Sequence, residues 1–190
     1  MADDLIKESK HSSSGFYLHD YNALSEQLKM LCNKQQPTIL IGVTYALLDL
    51  AEQFPIQFPE LIIMETGGMK GKRKEMVREE LHWKLKNAFG VKHIHSEYGM
   101  TELLSQAYSK ENGIYRTPPW MKILIRDVND PKNYLKSNST GGINVIDLAN
   151  IYSCAFIATQ DLGKLNDDGG FEVLGRFDNS DLRGCNLMVE

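Results

Sequence analysis

The chain has no long apolar run. None of its 190 residues fall in a segment approaching the ~18 consecutive apolar positions that a membrane-crossing helix needs, which predicts a soluble protein with no membrane span. It has little cysteine: Cys32, Cys154 and Cys185 are scattered and odd in number. They show neither Cys-x-x-Cys nor Cys/His ligand spacing, which argues against a disulfide framework and for a reducing, cytoplasmic setting. Positive charge is not in surplus. With 21 Lys and Arg against 25 Asp and Glu the formal net charge is -4, whereas a general nucleic-acid binder is basic. The opening "MADDLIKESK" lacks the apolar stretch of a secretory leader.

What is present is an ordinary globular composition, 42% hydrophobic and 24% charged. A chain of this length buries roughly 70% of its unfolded surface, enough for a core without metal or disulfide staples. Residues 1–15 show little periodicity and read as a loose lead-in. "DYNALSEQLKMLC" predicts a helix capped by Asp20, with Leu24, Leu28 and Leu31 on one face. "TILIGV" (38–43) reads as a strand covered on both faces, and "TYALLDLAEQF" as a helix ending at Pro55. The pattern repeats: strand "ELIIMETGG", then a helix over 73–89 with Val77, Leu81, Leu85 and Ala88 in a stripe and Glu80–Lys84 as an i,i+4 pair, closed by Gly90. "VKHIH" predicts a third strand and "GMTELLSQAYS" a helix after it. Beyond Trp120, "MKILIRDV", "GGINVIDL", "CAFIAT" and "FEVLGRF" are short strands separated by turn clusters. The predicted fold class is α/β: a parallel sheet with flanking helices over 16–119, followed by a small antiparallel β unit over 120–190.

In such sheets, ligands bind beyond the carboxyl ends of the strands. Two loops leave such ends, "ETGGMKG" and "SEYGMTE". Gly67 and Gly68 let a flat ligand approach the backbone, Tyr98 can stack on a base, Thr101 can donate to a phosphate, and Glu102 can hold Mg2+. A third piece runs from "TQDLG" to "GRFD". There Asp161 can accept from ribose hydroxyls, and Arg176, near Asp178, can grip a phosphate. Each piece alone also reads blandly, as a glycine turn, a solvated helix-start glutamate or a hairpin with a surface ion pair.

Taken together and in order, "YGMTE", "TQDLG" and "GRFD" resemble the adenylate-forming (acyl-AMP) ligase superfamily. "SGFYLHDYNAL", "ILIGVTYALLDLAE", "GGMKGKRKEMVREELH", "HSEYGMTELLSQAY" and "RGCNLMVE" are similar to the acyl-protein synthetase (LuxE-like) family, a resemblance that runs from Gly15 onward. It implies ATP-dependent activation of a fatty or other carboxylic acid to acyl-AMP, with pyrophosphate released. The acyl group then passes to a thiol: the protein's own cysteine, coenzyme A or a partner protein. It further implies ATP and Mg2+ as cofactors. Glu65, Thr66, Gly67, Gly68, Tyr98, Gly99 and Met100 would contact the nucleotide, with Gly67, Gly68 and Tyr98 framing the adenine, and Thr101 would contact the phosphate. Glu102 would bind the metal, Asp161 the ribose, and Arg176 the ribose or phosphate. Cys185, two residues after Arg183, can then be an acyl acceptor or a small buried thiol.

The superfamily's Ser/Thr/Gly-rich phosphate loop with its lysine is missing; "HSSSGFY" mimics it in composition only. Gln160 stands where many ligases have glycine, and no lysine follows "GRFD". The chain is therefore expected to be the C-terminal part of a longer protein and inactive alone. The alternative is a non-catalytic nucleotide- or carrier-binding module on the same scaffold. Among the remaining signals, the run Lys70, Lys72, Arg73, Lys74 reads as a solvated face or a phosphate attractor. His93 and His95 read as packed or hydrogen-bonded rather than zinc-binding, because no third ligand is evident. "VTYALLDL", with Tyr45, reads as core or as the wall of an acyl tunnel, and Cys32 and Cys154 read as core.

Overall fold

Two neighbouring strands, β1 (Ile39–Val43) and β2 (Ile62–Thr66), lie parallel and in register, with Val43 opposite Thr66. A third, β3 (His95–Tyr98), continues the parallel order with Glu97 opposite Thr66. In this computed structural model residues 2–68 and 76–177 are described. Cys185, Arg183, Asp178 and the basic run from Lys70 to Lys74 lie outside them.

Helices link the parallel strands. α1 (Ala2–Ser9) precedes them with no buried residue, so the lead-in is helical over 2–9 and irregular only after it. α2 (Tyr21–Asn33) is capped by Asp20, whose carboxylate accepts from the Ala23 amide, and buries Leu28 and Leu31. α3 (Thr44–Gln53) starts directly from β1 and stops before Pro55. α4 (Arg78–Phe89) carries the Glu80–Lys84 pair at 3.4 Å and ends on Gly90, whose φ of 68° is the left-handed cap that glycine adopts without strain. The buried stripe of α4 is Leu81, His82, Leu85 and Phe89. Val77, expected on it, precedes the helix and is exposed.

After β3 the order turns antiparallel. β4 (Ala107–Ser109), β5 (Ile114–Arg116), β6 (Met121–Arg126), β7 (Thr140–Asp147), β8 (Phe156–Leu165) and β9 (Phe171–Arg176) complete one nine-stranded sheet, ordered β1-β2-β3-β4-β5-β9-β8-β7-β6. The chain is thus α/β, a mixed sheet with flanking helices. No helix among the described residues is long and apolar enough to cross a membrane.

Four sequence expectations need correction. The third strand is His95–Tyr98, not "VKHIH". Val91 and Ile94 are buried while Lys92 and His93 between them are exposed, a spacing of three that an alternating strand cannot satisfy. "GMTELLSQAYS" is not a helix but a turn followed by β4. The amides of Leu104 and Ser105, which a helix would bond to its own carbonyls, are taken by the Asp147 carboxylate. β1 lies at the sheet edge and is covered on one face only, leaving Ile39 57% exposed beside Ile62 at 43%. Cys154 is exposed, its thiol directed at the Phe156 carbonyl, whereas Cys32 is half-buried against the core as expected.

The apolar side chains form two clusters. One joins α2, α3 and α4 to β1 and β2 around Leu28, Leu48, Phe58, Ile63, Leu85 and Phe89. The other fills the antiparallel part with Tyr98, Tyr115, Ile125, Ile143 and Phe171. Burial of each such side chain contributes about 1.5–3 kcal/mol.

Candidate functional site

The parallel strands deliver three backbone segments to one edge. Val43, Thr66 and Glu97 are in register, so Thr44, Gly67 and Tyr98 follow one another across the carboxyl ends of β1, β2 and β3. Gly67, at φ 72°, turns the chain away from β2, and both it and Gly68 are exposed. Among the described residues nothing stands within 4 Å of where a Gly68 side chain would begin. At Gly99 a Cβ would come within 3.1 Å of Gln106 Cγ, so a side chain there would crowd the loop.

Strand alternation splits the neighbouring polar residues between the two faces of the sheet. Glu65 is 5% exposed and points beneath the sheet, where its Oε2 accepts from Thr44 Oγ1 at 3.0 Å. Its side chain therefore does not reach the open edge, contrary to the nucleotide contact expected of it. Thr66 points to the opposite face and donates to Glu97 Oε1 at 3.4 Å.

Asp161 lies inside β8 rather than after a strand, and it comes to β3 from far along the sheet. Three strands separate β3 from β8 in the sheet order. In a flat sheet that would be roughly 19 Å, at about 4.8 Å per step. The Tyr98 hydroxyl nevertheless donates to Asp161 Oδ2 at 2.8 Å, so the antiparallel part curls back on itself. Arg176, opposite Asp161 on β9, sets its Nε 3.4 Å from Asp161 Oδ1 and its Nη2 3.4 Å from Gln160 Oε1. The three residues drawn from "YGMTE", "TQDLG" and "GRFD" thus meet as one group, joined by a hydrogen bond and an ion pair at Asp161.

Tyr98 meets the others through its hydroxyl, not through an open ring. The side chain is 8% exposed, and its ring packs edge-on against Tyr115 and Phe171 at centroid distances of 6.0 and 5.6 Å. The exposed stacking platform expected from the sequence is not what the fold presents. Burial, then the Asp161 charge, push the phenol well above its usual range, so it stays a proton donor to that carboxylate. A carboxylate has about four acceptor positions; Tyr98 and Arg176 occupy two, leaving room for two further donors.

The Thr101–Glu102 turn is exposed and pinned at both ends. Met100 packs against the second apolar cluster, and the buried Leu103 donates its amide to the Met100 carbonyl at 3.1 Å. The Glu102 carbonyl accepts from Asn150 Nδ2 at 2.6 Å, and Asn150 is itself held by Ser153 and the Cys154 carbonyl. Next to it, Asp147 is fully buried at the end of β7. It accepts from the Leu104 and Ser105 amides at 3.1 and 2.9 Å, from Ser105 Oγ at 2.7 Å and from the Ala149 amide at 3.1 Å. Trp120 Nε1 donates in turn to Ser105 Oγ at 2.9 Å. Asp147 and Asn150 escaped the sequence reading. The one local signal was an aspartate at a strand end able to cap the short 3-10 turn Leu148–Asn150.

Glu97 is a third missed residue. Its Oε2 is buried with no hydrogen-bond partner among the described residues, and burial raises its carboxyl above the ordinary value, offset only in part by the Thr66 bond. The folded chain therefore holds this proton to higher pH than the unfolded chain does. Glu97 costs stability at neutral pH, and the cost is relieved as pH falls through the window between the ordinary and the raised value. Glu97→Gln is expected to be more stable than the parent at neutral pH, with the gap closing toward acid pH, in urea titrations across a pH series. A gap independent of pH would show that ionisation of Glu97 is not its source.

Elsewhere, His93 Nδ1 pairs with Glu111 at 2.7 Å. Among the described residues no three His, Cys, Asp or Glu side chains gather to hold a metal on their own. A lone exposed carboxylate such as Glu102 suits an ion that arrives with a polyphosphate, since Mg2+ keeps several waters and takes one or two carboxylates beside phosphate oxygens.

No protein-family model matches the chain, and no curated protein matches it in sequence. Its fold matches solved structures. ATP-bound MatB from Rhodopseudomonas palustris is similar over 80% of this chain and 33% of its own, at 18% identity and a TM-score of 0.59. O-succinylbenzoate coenzyme A synthetase (MenE) from Bacillus subtilis, in complex with ATP and magnesium ion, is similar over 80% and 34%, at 21% identity and a TM-score of 0.55. A mutant form of coronafacic acid ligase from Pectobacterium brasiliense is similar over 83% and 32%, at 20% identity and a TM-score of 0.57. The chain spans about a third of the length of each of these proteins, and at such identities what it shares with them is the fold.

Proposed function

We propose that this chain carries the adenosine- and Mg2+-facing part of an adenylate-forming ligase, and that the protein activates a carboxylic acid as its acyl-AMP. The observation that carries the reading is the contact of Tyr98 with Asp161, and of Asp161 with Arg176, beside the edge where Gly67 and Gly68 emerge. Asp161 and Arg176 are neighbours on paired strands, whereas Tyr98 and Asp161 lie on strands separated by three others, so it is their contact that brings the distant motifs together. Solved structures of the same fold contain ATP, and one of them magnesium.

In this reading the Gly67 and Gly68 backbone lines the adenine, and the spare acceptor positions of Asp161 take the two ribose hydroxyls. Arg176, charged at any working pH, lies beside the ribose and phosphate. The acid's carboxylate attacks the α-phosphorus, the bond to the bridging oxygen breaks, and its electron pair leaves with pyrophosphate. Thr101 donates to a phosphate oxygen, and Glu102 holds Mg2+, which offsets phosphate charge when bound. The finer reading is the acyl-protein synthetase type, acting in the cytoplasm on a fatty acid. The acyl group would pass to a thiol of the protein (Cys185 being the candidate), of coenzyme A or of a partner protein.

ATP–pyrophosphate exchange by the full-length protein, across a panel of carboxylic acids, tests this. Exchange dependent on one class of acid is expected, and Glu102→Ala should lower it at least about a hundredfold, the scale for losing charge stabilisation in a transition state. AMP binding with no exchange for any acid would favour a non-catalytic nucleotide module. Exchange undiminished in Glu102→Ala would remove that residue from the metal.

A further inference from the structure

We infer that Thr44 is a positioning residue for the nucleotide edge, holding the Gly67 carbonyl from beneath so that the Gly68 amide is aimed outward. The inference rests on the reading that Gly67 and Gly68 face the adenosine, and it adds a residue and a direction to it.

Thr44 is the first residue of α3 and is 3% exposed. A hydroxyl at a helix start commonly bonds to backbone nearby. Here the N-terminus of α3 has no side-chain cap, and the Thr44 hydroxyl instead reaches across to the loop after β2, lying 2.7 Å from the Gly67 carbonyl oxygen. Its other neighbour is Glu65 Oε2 at 3.0 Å. One proton serves two acceptors, and the shorter contact is the one to Gly67.

The peptide linking Gly67 to Gly68 is planar and trans, which sets its carbonyl and its amide hydrogen on opposite sides. Fixing the oxygen toward Thr44 therefore directs the Gly68 N–H away from the Thr44 hydroxyl, and among the described residues no atom stands within 4 Å of a Gly68 Cβ position, so this residue borders open space. A donor aimed there suits an acceptor atom of the nucleotide. Gly67, at φ 72°, is free to rotate in the absence of a tether, so its orientation needs an external hold.

The surroundings strengthen the case. Glu65 and His82 are 5% and 7% exposed, with His82 Nε2 3.9 Å from Glu65 Oε1 and without a hydrogen-bond partner among the described residues. Polar side chains buried in this way cost stability when they serve packing alone. Glu65 also lies by the start of α3, where the helix dipole favours a carboxylate. It fixes the Thr44 rotamer from the side away from the loop.

Thr44→Val keeps the shape and removes the hydroxyl, and Thr44→Ser keeps the hydroxyl. On the chain itself, calorimetry with AMP should show affinity about five- to tenfold weaker in Thr44→Val, the scale of one hydrogen bond, and near the parent value in Thr44→Ser. NMR without nucleotide should show the Gly68 amide resonance displaced and its hydrogen exchange changed in Thr44→Val, and both restored in Thr44→Ser. Lower thermal stability in Thr44→Val with Gly68 and AMP affinity unmoved would overturn the inference. So would a displaced Gly68 with AMP affinity unchanged. If the parent chain takes no AMP, the nucleotide reading falls by itself. The Gly68 resonance then decides the tether alone, standing if Val displaces it and Ser does not, and failing otherwise.

Discussion

Asp147→Ala is expected to destabilise the chain by about 3–5 kcal/mol in urea denaturation, the range for stripping a buried charged acceptor from its donors. The side chain is fully buried, and the substitution strands the amides of Leu104, Ser105 and Ala149 together with the Ser105 hydroxyl. Burial pushes the Asp147 carboxyl upward, but the bonds from Ser105, Ala149 and Leu104 outweigh it and leave it below the ordinary carboxylate value. Its contribution is therefore present above the unfolded-state value and lost as pH falls through the lowered folded one. Asp147→Asn, which keeps an acceptor oxygen, should lose less and should flatten this acid limb. A loss under about 1 kcal/mol in Asp147→Ala would mean that water replaces the carboxylate and that the site is less enclosed than described. Because the same bonds anchor the segment behind Glu102, proteolysis of Asp147→Ala should begin near 99–105.

Asp161→Ala is expected to weaken AMP binding at least about a hundredfold, because two hydrogen bonds to a charged acceptor contribute about 1.5–3 kcal/mol each. The change also orphans the Tyr98 hydroxyl, whose proton is donated to Asp161 at 2.8 Å. Part of the loss could then be structural, and Tyr98→Phe combined with Asp161→Ala removes that contribution. A sharper readout is 2′-deoxy-AMP. It should bind the parent more weakly than AMP does, and the two should bind Asp161→Ala alike. If the variant still distinguishes the nucleotides as the parent does, the ribose is held elsewhere.

The elements readable from sequence were those decided locally. Asp20 caps α2 because its carboxylate reaches an amide three residues on, Gly90 ends α4 because glycine adopts its φ without strain, and Glu80 and Lys84 meet across one helical turn. The alternation of strand and helix through β3 likewise follows from hydrophobic spacing, and so do the short antiparallel strands beyond Trp120. What failed was decided at a distance. "GMTELLSQAYS" has helical periodicity, yet a carboxylate more than forty residues later takes its amides. The residue types of the site were legible: "YGMTE" and "TQDLG" do supply a tyrosine and an aspartate in contact. That Tyr98 would offer its hydroxyl and bury its ring depends on how tightly the sheet curls, which no window of sequence encodes. Thr44 and Glu65 meet because β1 and β2 lie in register, so their partnership became visible only with the pairing of those strands.

Past β3 the sheet narrows: β4 and β5, each only three residues long, link the parallel strands to β9. Such narrow seams are where cooperative units come apart first. Gly67 belongs to the helical side of that seam, and Asp161 to the curled side. A molecule gripping both would staple the halves into one folding unit, so occupancy would set not only affinity but also whether the domain melts in one step or in two.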